Sequence, residues 1–232
     1  MVFVVAEIGV NWEGDFDLVK QMMLESKKCD CDAVKFQAYS KEMIKNHPEK
    51  ERLLKTAITE ENIEKINNIS KSIGIEWFCT PMYPEAVDFL NPYVKRFKIR
   101  ELDGRKILED SKSEIFNKIL STGKEVIIST EKNPKISKYY NHPKIKWLYC
   151  IPKYPSNYED HDFSHIMDFH GFSNHCRQLV VPLMATILGS EIIEIHITSD
   201  ISENFIDNNV SFDYNELNQL VRYIKICENI KH

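Results

Sequence analysis

Eight short apolar runs, each followed by a stretch long enough for a helix or a crossover, constrain this chain more than any other feature. They are VFVVAEI (2–8), AVKFQ (33–37), IEWFCT (75–80), RFKI (96–99), EVIIST (125–130), IKWLYC (145–150), GFSNH (171–175) and IIEIHI (192–197). β-Branched and aromatic residues dominate several of them, as strands buried on both faces require. Helical spacing of apolar residues marks 16–28, 59–74, 84–93, 113–123, 177–189 and 212–230. Gly74 and Gly123 stand where C-caps belong, and Pro84 stands where a first turn tolerates it. Pro182 predicts a kink or a late start in the helix over 177–189. The stretch 131–144 is polar and proline-rich, so its helix is expected to be short or absent.

Strands alternating with helices call for a parallel sheet. With eight strands in 232 residues, the natural closure is a (β/α)8 barrel, a fold of roughly 250 residues. A doubly wound open sheet is the alternative, but neither GxGxxG nor GxxxxGK[ST] opens a helix here. No linker or low-complexity tract interrupts the chain, so residues 1–232 read as a single domain. At 43% hydrophobic and 28% charged it can bury a large core. A net charge of −5 argues against a nucleic-acid surface, which needs clustered positive charge. No run approaches the roughly 20 apolar residues of a membrane helix. Met1 leads directly into VFVVAEIG with no basic segment before it, which reads as a buried strand and predicts a cytoplasmic protein. The six cysteines, 29, 31, 79, 150, 176 and 227, form no CxxC pair and are expected as reduced thiols.

The strands finish on polar residues. The first reaches Glu7, then Gly9 and Asn11; the second carries Lys35 and Gln37; the third ends at Thr80 and the fourth at Lys98. Ser129 and Thr130 end the fifth, Tyr154 follows the sixth, His175 ends the seventh, and His196 stands near the end of the eighth. Each alone has an ordinary structural role: an outward-facing lysine, a serine bonded to a strand end, a core histidine with one partner. Together they converge on the C-terminal face of a barrel, where barrel enzymes place their chemistry. Burying Glu7, Lys35 and Lys98 uncompensated would cost several kcal/mol per ion, and a site for charged ligands supplies compensation. Strands seven and eight are neighbours, so His175 and His196 are expected side by side over the mouth.

Nine segments carry a resemblance in order along the chain: AEIGVNWEGD, DAVKFQ, FCTPMYPEAVDFL, FKI, VIIST, YPSNYED, FSNH, IIEIHIT and DNNVSFDYNEL, from residue 6 to residue 217. They resemble the sialic acid synthase (N-acylneuraminate synthase) family, a (β/α)8 barrel followed by a small antifreeze-like domain. The resemblance implies a transferase that condenses phosphoenolpyruvate with an N-acylated amino sugar to a nine-carbon 2-keto acid, the phosphate leaving by C–O cleavage. It implies a divalent metal, manganese with magnesium or cobalt as alternatives, on His175 and His196. Imidazoles suit such an ion while leaving positions open. It implies that Lys35, Gln37, Thr80 and Ser173 hold phosphoenolpyruvate near its carboxylate, and that Lys98 and Ser129 face its phosphate. Glu7 matches a carboxylate beside the reacting carbons. Asp103, Tyr154 and Asp207 match the acceptor side, and Asn11 is expected among the substrate-binding residues. A homodimer, or a separate antifreeze-like protein, is the partner implied.

The departures are local. After strand four this chain reads FKIRELD, so Glu101 stands where the family carries a serine that donates to phosphate, and Leu102 where it carries glycine. Glu131 replaces a glycine, Pro152 a polar residue, and Asn174 an aspartate. No antifreeze-like segment follows within residues 1–232. An ionised Glu101 about 4 Å from a phosphate would cost roughly 4 kcal/mol per unit charge at an effective dielectric of 20. It is therefore expected to weaken the phosphoenolpyruvate mode unless Arg100 or Arg105 pairs with it. The alternatives are a metal-binding barrel acting on another sugar or keto acid as aldolase, lyase or isomerase, and a non-catalytic sugar-binding barrel.

Overall fold

The computed structural model describes residues 1–109 and 112–231, and within it all eight runs are strands. They are β1 (Phe3–Glu7), β2 (Ala33–Ala38), β3 (Glu76–Pro81), β4 (Arg96–Ile99), β5 (Glu125–Thr130), β6 (Ile145–Cys150), β7 (Gly171–Asn174) and β8 (Ile192–His196). Each pairs in parallel with the next in sequence, and β8 closes on β1, giving the expected single (β/α)8 barrel. Gly171 is required at one seam: a Cβ there would lie 2.1 Å from the Ile192 carbonyl oxygen, so only glycine lets β7 approach β8.

The helices are α1 (Phe16–Lys28), α2 (Lys41–Ile44), α3 (Lys50–Thr56), α4 (Ile63–Ile73), α5 (Pro84–Leu90), α6 (Glu101–Leu108), α7 (Glu114–Ser121), α8 (Val180–Ile187) and α9 (Tyr214–Lys231). Side chains cap three of them: Asp15 accepts from the amides of Asp17 and Leu18, Ser113 from that of Phe116, and Asp213 from those of Asn215 and Glu216. The helix expected from 59 starts at Ile63, because Asn62 turns back to accept the Thr59 amide. Pro182 falls in the first turn of α8, where its missing N–H is harmless, so the helix starts late instead of kinking. The stretch 131–144 makes one 3-10 turn, Pro134–Ile136, and two more such turns follow β6. β5 and β6 thus lack a following α-helix. α6 appears where no helix was expected; its Gly104 packs so close that a Cβ would meet the Ser129 carbonyl oxygen at 2.0 Å.

The main apolar core lies between strands and helices, with Phe36 edge-on to both Trp12 and Trp77. A second, smaller cluster of Val10, Tyr39, Leu53 and Ala57 is built from the segments that follow β1 and β2. At the N-terminal end of the barrel, Arg96 bridges Glu76 (2.8 Å) and Glu125 (2.7 Å) with its guanidinium over the Phe3 ring. All six cysteines are free thiols. No helix among the described residues is long and apolar enough to cross a membrane.

Candidate active site

Register places the site. Glu7 pairs with Lys35 on β2 and with His196 on β8, so three of the polar strand ends stand at one level around the mouth. Period-2 alternation then puts Gln37 one layer above Lys35, and Glu194 one layer below His196, on the same inward face. The cavity they open into has a volume of about 370 Å³.

Its floor is a network of four charges. Glu7, Lys35, Lys98 and Glu194 are each 4% exposed or less. Lys35 Nζ lies 2.8 Å from Glu7 Oε2 and 3.8 Å from Glu194 Oε1. Lys98 Nζ donates to Glu194 Oε1 at 2.9 Å, and Ser173 Oγ donates to the same oxygen at 2.8 Å. Gln37 donates to Glu7 Oε1 at 2.8 Å, and Lys35 donates to Thr80 Oγ1 at 3.3 Å. Burial works against ionising Glu194, yet Lys35 and Lys98 overcome it and hold its pKa low, at about 2. Burial likewise works against Lys35, and the two carboxylates outweigh it and raise its pKa. The charged forms of Glu194 and Lys35 are thus favoured, in a network that sets two lysines against two glutamates.

Above the floor stand the two histidines, ring centroids 5.4 Å apart. His175 Nδ1 lies 2.9 Å from the Ile151 carbonyl oxygen, a bond only a protonated nitrogen makes, so in the neutral ring Nε2 carries the lone pair. Burial, reinforced by His196, pushes the His175 pKa down to about 3, so the ring is neutral. Asp207 Oδ2 is 3.4 Å from His196 Nδ1 but misaligned for a hydrogen bond. Tyr154, half-exposed, lays its ring 3.9 Å from that of His175. Four buried polar atoms of the cavity wall have no hydrogen-bond partner: Glu194 Oε2, Ser129 Oγ, His196 Nδ1 and Glu7 Oε2, the last held by its ion pair with Lys35. Buried orphans are rare in folded proteins and mark where a ligand is awaited.

The residues singled out from the sequence divide accordingly. Glu7, Lys35, Gln37, Thr80, Lys98, Ser129, Tyr154, Ser173, His175, His196 and Asp207 all line the cavity. Asn11 and Asp103 do not. Asn11 is fully buried; its amide donates to Ile197 O and Ser211 Oγ and accepts from the Asp207 amide, so it anchors the loop carrying Asp207. Asp103 is taken up by Arg100 (2.7 Å) and Lys106 (3.1 Å) on α6. Glu101 lines the cavity, but Arg105 grips its carboxylate through two bonds, at 2.6 and 3.1 Å. Glu194 was missed as a site residue. The signal was present, since a residue two before an inward histidine on a strand must also face inward. Cys150, its thiol pKa raised to about 12 by burial, also lines the wall unannounced by any motif.

As a metal centre, the donor set is two imidazoles. Among the described residues no group of three or more His, Cys, Asp or Glu side chains is placed to hold an ion. A neutral His175 and an unbonded His196 Nδ1 fit an ion that takes its remaining ligands from water or substrate.

A family model, the NeuB family, matches residues 22–231. An uncharacterised protein of Methanocaldococcus jannaschii is 32% identical over 98% of this chain and 71% of its own length. The N,N'-diacetyllegionaminic acid synthase of Legionella pneumophila is 29% identical over 98% of this chain and 72% of its own. The crystal structure of the N-acetylneuraminic acid (sialic acid) synthetase from Leptospira borgpetersenii, in complex with citrate, superposes with a TM-score of 0.85 at 27% identity, covering 99% of this chain and 85% of that one.

Proposed function

This chain belongs to the NeuB family, and from that premise we propose that it condenses phosphoenolpyruvate with an N-acylated amino sugar in its open-chain aldehyde form. The observation that carries the reading is the pair of buried lysines flanking Glu194 beneath two adjacent histidines. A trianionic three-carbon donor needs fixed cations on its carboxylate and its phosphate. Lys35, with Thr80 and Ser173, suits the first; Lys98, with the unbonded Ser129 Oγ, suits the second. Donor binding relieves the orphaned hydroxyl and lets each lysine exchange a carboxylate for a ligand oxygen.

The reaction balances as follows. C3 of the enol bonds to the aldehyde carbon, whose oxygen takes a proton and becomes a hydroxyl. Water adds to C2, and the C2–O bond to phosphate breaks, leaving a 2-keto acid and inorganic phosphate. Glu7, steered by Gln37 and paired with Lys35, stands in register beside His196, where it orients the water and accepts its proton. His175 and His196 are the residues that would hold a divalent cation, which when bound polarises the aldehyde oxygen. The test is phosphate release from phosphoenolpyruvate, with Mn²⁺, across a panel of N-acyl sugars. No release with any of them would end this reading. In the double variant His175→Ala, His196→Ala, Mn²⁺ binding by calorimetry is expected to weaken more than about 100-fold.

Glu101 in the cavity wall favours a second reading, a non-phosphorylated 2-keto acid as donor. Its signature is aldol condensation with pyruvate and no phosphate release.

A further inference from the structure

One inward position above the charged floor has no part in it. Lys98 points into the barrel, so Arg100, two residues on, faces the same way one layer higher. The register of β4 on β5, Lys98 with Ile127 and Ile99 with Ile128, continued by one residue sets Arg100 level with Ser129. Both line the cavity. Arg100 also leads into α6, and the first two residues of that helix, Glu101 and Leu102, line the same stretch of wall. Their amides donate no backbone hydrogen bond among the described residues, as the first turn of a helix leaves them.

The Arg100 guanidinium is partly spent. Nε donates to Asp103 Oδ2 at 2.7 Å, while Nη1 reaches only the Met82 sulfur, a weak acceptor, at 3.7 Å. Neither Nη1 nor Nη2 donates to an oxygen among the described residues. Asp103 does not depend on Arg100 alone, since Lys106 reaches its other oxygen at 3.1 Å. The charges agree. On the floor two lysines face two glutamates, and Arg105 holds Glu101. Arg100, Asp103 and Lys106 set two cations against one carboxylate. That surplus stands level with Ser129 Oγ, which is buried and unbonded. A fork with its outer edge free, an unmet hydroxyl and a helix N-terminus meet on one wall. A carboxylate has two oxygens for these three sets of donors, and a phosphate has three.

We infer that Arg100 is the residue that selects a phosphorylated donor over the corresponding 2-keto acid. Its Nη edge takes the phosphate beside Ser129, while Asp103 keeps Nε and so fixes the plane of the fork. This rests on the condensation reading for the identity of the anion.

Calorimetry on the full chain tests it with phosphoenolpyruvate and pyruvate as separate probes, for the wild type, Arg100→Met and Arg100→Lys. Phosphate release with Mn²⁺ and the N-acyl sugars gives the KM for each substrate. Arg100→Met is expected to weaken phosphoenolpyruvate about tenfold or more, the effect of losing a bond to a charged group, and to change pyruvate about twofold or less. Arg100→Lys keeps the charge without the fork and should fall between the two. The kinetic loss should appear in the KM for phosphoenolpyruvate and not in that for the sugar. Arg100→Gln serves if Arg100→Met does not fold. An unchanged phosphoenolpyruvate affinity in Arg100→Met, an equal loss for pyruvate, a loss confined to the sugar, or a wild type that binds phosphoenolpyruvate no better than pyruvate overturns the inference. If the selective loss appears but no sugar gives phosphate release, the condensation reading fails and the assignment of Arg100 stands. If phosphate is released and Arg100→Met binds phosphoenolpyruvate as the wild type does, the assignment fails and the condensation reading stands.

Discussion

The two ends of the barrel are built from the same ions and treat them differently. At the N-terminal end Arg96 sits between Glu76 and Glu125, with side chains 18–31% exposed. Water reaches these groups, and none of their atoms is left without a partner among the buried orphans. At the C-terminal end Lys35, Lys98, Glu7 and Glu194 are almost wholly buried, and Glu194 Oε2 and Ser129 Oγ are unbonded. A half-exposed, fully bonded ion cluster is sufficient as structure. A buried, under-bonded one is costly to keep and makes sense where a ligand completes it. The difference teaches that burial and unmet bonding, more than charge itself, separate the working end from the closing end.

The largest expected break in that comparison is Lys98→Met. It leaves Glu194 with one lysine at 3.8 Å, and removing one partner of a buried pair costs about 3–5 kcal/mol. Urea unfolding at neutral pH should show the loss, and phosphate release should vanish with it. A variant as stable as the wild type would mean the floor is not a coupled network.

Glu194→Gln comes next, at about 1.5–3 kcal/mol for bonds to a charged acceptor. Here the sign with pH is definite. The native pKa of Glu194 is depressed from 4.5 to about 2, so its contribution is full above about 4.5 and fades as pH falls toward 2. The gap in unfolding free energy between wild type and variant should therefore close across that window. A gap constant down to pH 2 would place the stabilisation elsewhere.

Arg105→Ala sharpens the comparison within the mouth. It releases the Glu101 carboxylate toward the donor side, and phosphoenolpyruvate affinity should fall by about fivefold or less, since partly exposed pairs are worth about 1 kcal/mol or less. The smallest effect belongs to Arg96→Met at the other end. Two partly exposed pairs together contribute about 1 kcal/mol, so stability should dip slightly while kcat/KM is unchanged. A large loss of activity there would undo the division of labour between the two ends.

Much of the fold was legible because its signals are local. A short apolar run rich in β-branched and aromatic residues names a buried strand, and the 3.6-residue spacing names a helix; all eight strands fell where the apolar runs stood. α6 was not legible, because its reason is Gly104 pressed against the Ser129 carbonyl, a contact between segments 25 residues apart. In the site, the polar strand ends could be read from their positions, and His196 carried Glu194 with it through the same alternation. The exclusion of Asn11 and Asp103 could not be read.

The sequence by itself determined the elements and the chemical types at the strand ends, since backbone preference and side-chain alternation act between neighbours. Tertiary structure alone decided which of those types meet. Barrel closure sets Glu7 level with both Lys35 and His196, and a shift of one residue in that register would turn every side chain of a strand to its other face. Closure also brings β4 and β8 across the lumen, so that Lys98 and Glu194, 96 positions apart, share one bond at 2.9 Å. A pairing of that kind depends on the global path of the chain, to which no local pattern is sensitive.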